Sequence, residues 1–186
     1  MRDYVIAGTG SRELILCPEK YQAVLSHLIT LLQLEKEKHG EFLRVLSGMA
    51  EGFDEALASA AAHTNIPWYA VVPNPGYVEY YWKKKSITGT DRLPVALPLL
   101  KTATQLLYVC PTHTGIKYPF PGGANLDRNE WMVDHANEVW VYNPSTKGTA
   151  QCYSYCKKTG TPTRLIPTTA QDNSTPHTHT KQATFL

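Results

Sequence analysis

Phe42-Leu43-Arg44-Val45-Leu46-Ser47-Gly48-Met49-Ala50-Glu51-Gly52-Phe53-Asp54 is the stretch on which the fold reading turns. Its opening run, residues 42–46, is apolar apart from Arg44, too short for a helix and closed by a glycine loop, which reads as a buried strand. The alanine-rich segment 53–63 that follows has the composition of a closely packed helix. Strand, glycine loop and helix in that order form the repeating unit of parallel α/β sheets.

The unit recurs outward in both directions. Toward the N-terminus, residues 4–7 read as a strand that stops at Gly8-Thr9-Gly10-Ser11-Arg12, a tight loop. Pro18 suits a first helical turn, and Tyr21, Leu25, Leu28, Ile29, Leu32 and Leu34 recur at near-helical spacing before Gly40 closes the helix. Toward the C-terminus, strands are expected over 67–72, 105–110, 138–142 and 163–166. Helices are expected just before residue 105, over 126–136 and over 149–158. Residues 73–82, with Pro73, Pro75, Gly76 and a tyrosine-rich run to Trp82, read as irregular. The expectation is an α/β, Rossmann-like, doubly wound and mostly parallel sheet with helices on both faces, over residues 1–167. A flexible polar tail is expected over 168–186. In such sheets ligands bind beyond the carboxyl ends of the strands, where the strand order reverses.

Composition narrows the function classes. The 186 residues carry 18 basic and 16 acidic side chains, a net charge of +2 without a basic block, which makes nucleic acid an unexpected partner. No apolar run approaches the ~20 residues of a membrane helix and no charged-then-apolar leader opens the chain, so a cytoplasmic protein without membrane association is expected. Cys17, Cys110, Cys152 and Cys156 form no CxxC pair and read as reduced thiols. Cys152 with Cys156, and His177 with His179, do not make up a four-ligand set at zinc spacing, so neither metal nor cofactor is expected.

Three loops carry residues suited to an anion, because a helix start presents unpaired N–H groups and a positive dipole end. The first supplies Gly8, Gly10, Ser11 and Arg12. A dinucleotide fingerprint would need glycine where Glu13 stands. The second supplies Ser47, Gly48, Met49, Gly52 and Asp54; Asp54 can cap the helix or accept from a ribose hydroxyl. Ser47 is not in G-x-S-x-G, so no hydrolase elbow is read there. The third supplies Thr146, Gly148 and Thr149 and is not a Walker A loop. Arg128 and Asn129 open a further helix, either as a solvated first turn or as a fork for phosphate and a reader of a base or sugar. His63 and His135, near helix ends, read as dipole partners. Tyr77, Tyr80, Tyr81 and Trp82 can stack on a base or pack a loop or subunit.

Gly8 to Arg12, Ser47 to Asp54, Arg128-Asn129-Glu130-Trp131-Met132-Val133-Asp134-His135-Ala136 and Lys147-Gly148-Thr149 together resemble the YpsA-like branch of the SLOG superfamily. That superfamily also holds the DprA DNA-processing proteins and the LOG phosphoribohydrolases. The resemblance runs from the first strand to about residue 166. It implies a Rossmann-like fold and a pocket for nucleotides or nucleotide-derived signals, in a superfamily active in conflict between bacteria and phages. It departs at two telling places. Aligning Gly148-Thr149 with the LOG Gly-Thr puts Cys152 where the catalytic glutamate belongs, and Tyr142-Asn143-Pro144 stands where YpsA-like sequences carry Trp-Asp-Gly.

The expected function is therefore to sense or sequester a phosphate-bearing nucleotide-derived molecule, such as an ADP-ribose derivative or a cyclic nucleotide, in an anti-defence setting. The alternative is N-glycosidic cleavage of a nucleoside monophosphate, with Glu130, Asp54 and Arg128 as candidate catalytic residues. Related folds assemble, so a homo-oligomer is expected by analogy.

Overall fold

In the computed structural model, which describes residues 2–110 and 123–168, six strands pair in parallel in the order β4-β3-β2-β1-β5-β6. The strands are β1 (Tyr4–Gly10), β2 (Leu43–Ser47), β3 (Trp68–Val72), β4 (Gln105–Tyr108), β5 (Glu138–Tyr142) and β6 (Thr163–Ile166). The helices are α1 (Pro18–His39), α2 (Phe53–His63), α3 (Tyr77–Glu79), α4 (Leu93–Leu100), α5 (Ala124–Asp134) and α6 (Lys147–Thr159). The chain winds from β1 to β4 in one direction, then crosses to the other side of β1 to lay down β5. The strand order thus reverses between β1 and β5.

Alternation along the strands splits the core in two. Ile6, Val45 and Trp140 face a cluster built with Leu28 and Leu32 of α1, Leu57 of α2 and Ala96 of α4. Ala7, Leu46, Val139 and Val141 face the opposite side, against Met132 and Val133 of α5 and Cys152 and Cys156 of α6. Both faces of the sheet are covered, as an all-parallel sheet requires. The four cysteines are free thiols.

Two expectations change. Gly8 and Gly10 do not turn the chain; they are the last part of β1, which runs to Gly10. Their reason is packing: a Cβ on Gly8 would collide with Leu57, and one on Gly10 with the Cβ and Cγ of Phe53. Bare backbone lets α2 lie directly on β1, and the Phe53 N–H reaches the Ser11 carbonyl at 3.3 Å. The second change is at residues 77–82, part of the stretch 73–82 expected to be irregular. They form α3 and then a π-helical turn, Tyr80–Lys84, held by a long-range bond from Trp82 Nε1 to the Met49 carbonyl at 2.9 Å. The tail expected over 168–186 lies outside the described residues beyond Thr168, as does the loop 111–122 with Pro119, Pro121 and Gly122.

Gly10→Ala is expected to lower the unfolding free energy by about 1–3 kcal/mol, the range for forcing an extra carbon into a filled core. Urea denaturation measures this, and an unchanged midpoint would mean that the α2–β1 contact is not set by the missing Cβ.

Candidate functional site

The carboxyl ends of β1 and β5, at the reversal of strand order, open into a cavity of about 320 Å³. Thr9 and Gly10 line it from the end of β1, Ser11 and Arg12 from the loop that follows, Ala50 from the loop after β2, Asp54 from the start of α2, Arg128 and Asn129 from α5, and Thr146, Gly148 and Thr149 from the start of α6. These include nine of the residues expected at the site: Gly10, Ser11, Arg12, Asp54, Arg128, Asn129, Thr146, Gly148 and Thr149. Gly8, Ser47, Gly48, Met49 and Gly52 sit behind the wall, and Glu130 on α5 is not in the lining.

The residues behind the wall shape the loop. The Ser47 hydroxyl donates to the Asp54 carbonyl at 2.8 Å and accepts from the Met49 N–H at 3.2 Å. Met49 has a left-handed backbone (φ 51°), unusual for a residue with a side chain, and is fully buried. Gly52 (φ 84°) lies against the Ser11 carbonyl and Arg12 Cα, where a Cβ would come within 2.5 to 2.8 Å.

Arg128 is the buried cation of the site, 5% exposed. Its Nη1 donates to the Gly48 carbonyl, and to the Val71 carbonyl at 3.3 Å, while lying 4.0 Å from Asp54 Oδ2. Its guanidinium carbon stands 5.5 Å from the centre of the Tyr77 ring. The guanidinium also occupies the space a Cβ on Gly48 would need, which accounts for that glycine. Arg128 Nε is buried without a hydrogen-bond partner among the described residues. Burial pushes the Asp54 carboxyl up to about 6, although Arg128, the backbone at Ala50 and Arg12 pull the other way.

The rest of the lining contains residues that the sequence reading did not assign to the site: Glu13, Tyr77, Tyr81, Ile87 and Asn125. Tyr77 and Tyr81 had been read as able to stack on a base or to pack a loop. Asn125 Nδ2 donates to the Tyr81 hydroxyl at 2.9 Å. Holding this wall is Glu51, 1% exposed, which accepts from Arg12 Nη2 (2.6 Å), the Ser86 hydroxyl (2.6 Å) and the Ile87 N–H (2.9 Å). Burial pushes the Glu51 carboxyl up, but those three donors outweigh it and hold the group below its ordinary range. Arg92 adds a fork to Glu55 at 2.7 and 3.0 Å. An acid inside a glycine-rich loop was the one visible signal of this role, yet its partners lie some 35 residues away.

At the third loop, the side chain of N-cap Thr146 does not cap α6; its hydroxyl donates instead to the Thr149 hydroxyl at 2.8 Å. The first-turn N–H groups have no acceptor within the helix. Among the described residues nothing lies within 4 Å of where a Cβ on Gly148 would be. Cys152, in the position of the LOG glutamate, is buried, and its hydrogen bond with Cys156 together with burial pushes the thiol up, so it keeps its proton. Among the described residues no group of three or more His, Cys, Asp or Glu is placed to hold a metal ion. Nor is any described helix long and apolar enough to cross a membrane.

No protein-family model matches the sequence, and neither does any curated protein. Solved structures do match. DNA processing protein A (DprA) from Streptococcus pneumoniae is 17% identical with a TM-score of 0.62, over 91% of this chain and 52% of that one. DprA from Helicobacter pylori, a protein with a single-stranded DNA binding mode, is 15% identical with a TM-score of 0.58, over 91% and 68%. The Moco carrier protein of Chlamydomonas rheinhardtii is 13% identical with a TM-score of 0.50, over 89% and 77%. This chain spans about half the length of the pneumococcal protein. At these identities the likeness is one of fold: the Rossmann-like α/β architecture implied by the SLOG resemblance is the architecture these proteins share. They do not single out the YpsA-like branch, and the Helicobacter protein lends no support to the expectation that nucleic acid is not a partner.

The Asp54 carboxyl is expected to titrate with a midpoint near 6 when followed by carbon NMR of the side chain, and Arg128→Gln, which removes the nearest cation, is expected to move the midpoint upward. An unfolded chain ionises this group near 3.9. Between roughly 4 and 6 the folded state therefore holds the extra proton, and this group lowers stability as pH rises through that window and has no further effect above it. A midpoint near 4 would contradict the burial described.

Proposed function

We propose that the cavity binds and retains a phosphate-bearing nucleotide or nucleotide-derived signalling molecule, with the phosphate at the start of α6. The observation that carries this reading is Gly148. A glycine inside a helix costs about 1 kcal/mol relative to alanine. Elsewhere in the site a glycine is explained by a neighbour: Phe53 at Gly10, Arg128 at Gly48. At Gly148 the described residues offer no neighbour within 4 Å, and φ is not positive. What is left beside it is room for a ligand atom to approach the first-turn N–H groups, where the helix dipole favours negative charge. Thr146 and Thr149 add hydroxyls at the same point, and Arg12, a third of whose side chain is exposed, adds a cation at the cavity wall. Tyr81 and Asn125 supply a ring and an amide on the far side for the rest of the molecule.

Retention is favoured over cleavage by the state of the groups available for acid–base work. Cys152 keeps its proton and Glu130 is not in the lining. One observation supports the second reading, N-glycosidic cleavage: Asp54, in the cavity wall, is pushed up to about 6, close to where a general acid or base is most effective. In that reading Asp54 exchanges the proton and Arg128 holds the charge beside it. Single-stranded DNA is the least favoured occupant, because Arg12 and Arg128 are each set against an acid, leaving no basic track along the cavity.

Calorimetric titration with ADP-ribose, AMP and cyclic AMP is expected to give binding for at least one of them and no release of free base on chromatography. A single-stranded oligonucleotide, followed by fluorescence anisotropy, is expected not to bind. Gly148→Asp is expected to remove at least about tenfold in affinity, because it sets a carboxylate where the phosphate lies. The same change is expected to raise the stability of the chain by several tenths of a kcal/mol, since it replaces a glycine and puts an acid in a first helical turn. Undiminished affinity in that variant would place the phosphate elsewhere. Release of base that stops in Asp54→Asn would establish the cleavage reading instead.

A further inference from the structure

A second void, of about 270 Å³, lies on the other side of Tyr77, between α3, α4 and the edge strand β4. Its walls are apolar and partly open: Leu97 is 48% exposed, Leu106 37% and Tyr108 43%, with Leu93 beside them. α4 itself, Leu-Pro-Val-Ala-Leu-Pro-Leu-Leu, is apolar throughout, yet Ala96 is its one fully buried residue. Glu79, exposed at the rim, is the charged residue in the lining.

Asn74 also lines this groove. It is 1% exposed, and both its Nδ2 and its Oδ1 are buried without a hydrogen-bond partner among the described residues. Its main chain is fixed by Pro73 and Pro75 on either side and by a bond from the Tyr77 N–H to its carbonyl at 3.3 Å. A buried amide unpaired at both ends is rare and costly. An apolar residue of the same size would serve the core better, so what Asn74 offers is a donor and an acceptor side by side.

We infer that the groove is a second binding site, for a flat uncharged ring that carries an acceptor and a donor on one edge, as a nucleobase or a ring carboxamide does, and that Asn74 reads that edge. The pairing follows from geometry: the side-chain amide meets such an edge with two parallel hydrogen bonds, as asparagine does with adenine. Aliphatic and aromatic walls suit the faces of the ring. Glu79, with no Lys or Arg in the lining, turns away phosphate and other anions, so this site differs in chemistry from the cavity beyond Tyr77. Because the amide atoms are covered, pairing requires the Asn74 side chain to turn toward the adjoining void. The inference stands on Asn74 and the groove, and it holds whether or not the larger cavity takes a nucleotide.

Saturation-transfer NMR with free adenine, uracil and nicotinamide as probes tests it and separates the two sources of such an edge. At least one probe is expected to receive saturation. Leu97→Trp, which changes an exposed residue and fills the groove, is expected to remove the signal, while Gly148→Asp, in the other cavity, is expected to leave it intact. Asn74→Leu is expected to weaken binding at least about tenfold and to raise the melting temperature by several degrees, since it removes unpaired polar atoms without making a cavity. No transfer to any of the three probes would overturn the inference. So would a signal that survives Leu97→Trp or is lost in Gly148→Asp. A fall in melting temperature for Asn74→Leu would also overturn it, since that result belongs to an amide holding a structural water.

Discussion

A nearly buried guanidinium stands where the strand order of this sheet reverses, and the arrangement around it follows from the need to satisfy it. Arg128 comes from α5, takes carbonyls from the loop after β2 and from β3, and faces Asp54 at the start of α2. It thereby ties together elements far apart in sequence at the point where ligands bind in sheets of this kind. Gly48 is bare because the guanidinium fills its side-chain space. Removing one member of such a buried pair leaves an uncompensated charge, which is far more costly than the pair is stabilising.

A second acid, Glu51, plays the matching part on the other wall. It gathers Arg12, Ser86 and Ile87 around one carboxylate and so fixes the segment from Tyr77 to Arg92 over the cavity. The two charged centres leave a cavity whose arginines are already matched by acids. In the proposed reading an anionic ligand then depends on the first-turn N–H groups of α6, on the Thr146–Thr149 hydroxyl pair beside them, and on the exposed part of Arg12. This division between structural charge and available dipole suits tight retention of one phosphate-bearing molecule better than a track for a polymer.

The sheet was legible in the sequence because short apolar runs alternate with glycine loops and helical periods, most clearly at β2 and β5; α2, β5 and β6 fall where the pattern places them. What was not legible depends on contacts across the chain. Gly8 and Gly10 look like a turn to any local reading, and only Phe53 and Leu57 on a neighbouring helix explain them as strand. The helix after Gly76 has poor local signals, and its order comes from the Trp82–Met49 bond and the Arg92–Glu55 fork. The site divides in the same way. Arg12, Asp54, Arg128, Asn129 and the Gly148 loop could be read because anion chemistry has local signatures in glycine and helix starts. Glu51 and Asn74 could not, because a buried acid and an unpaired amide are defined by what surrounds them.

The most direct test of the retained-ligand account is mass spectrometry of small molecules released by heating the protein, purified from cells that make nucleotide signals. The account predicts an intact phosphate-bearing nucleotide in near-stoichiometric yield, reduced in Gly148→Asp. Recovery of free base and ribose phosphate, or of no phosphate-bearing compound from such cells, would contradict it.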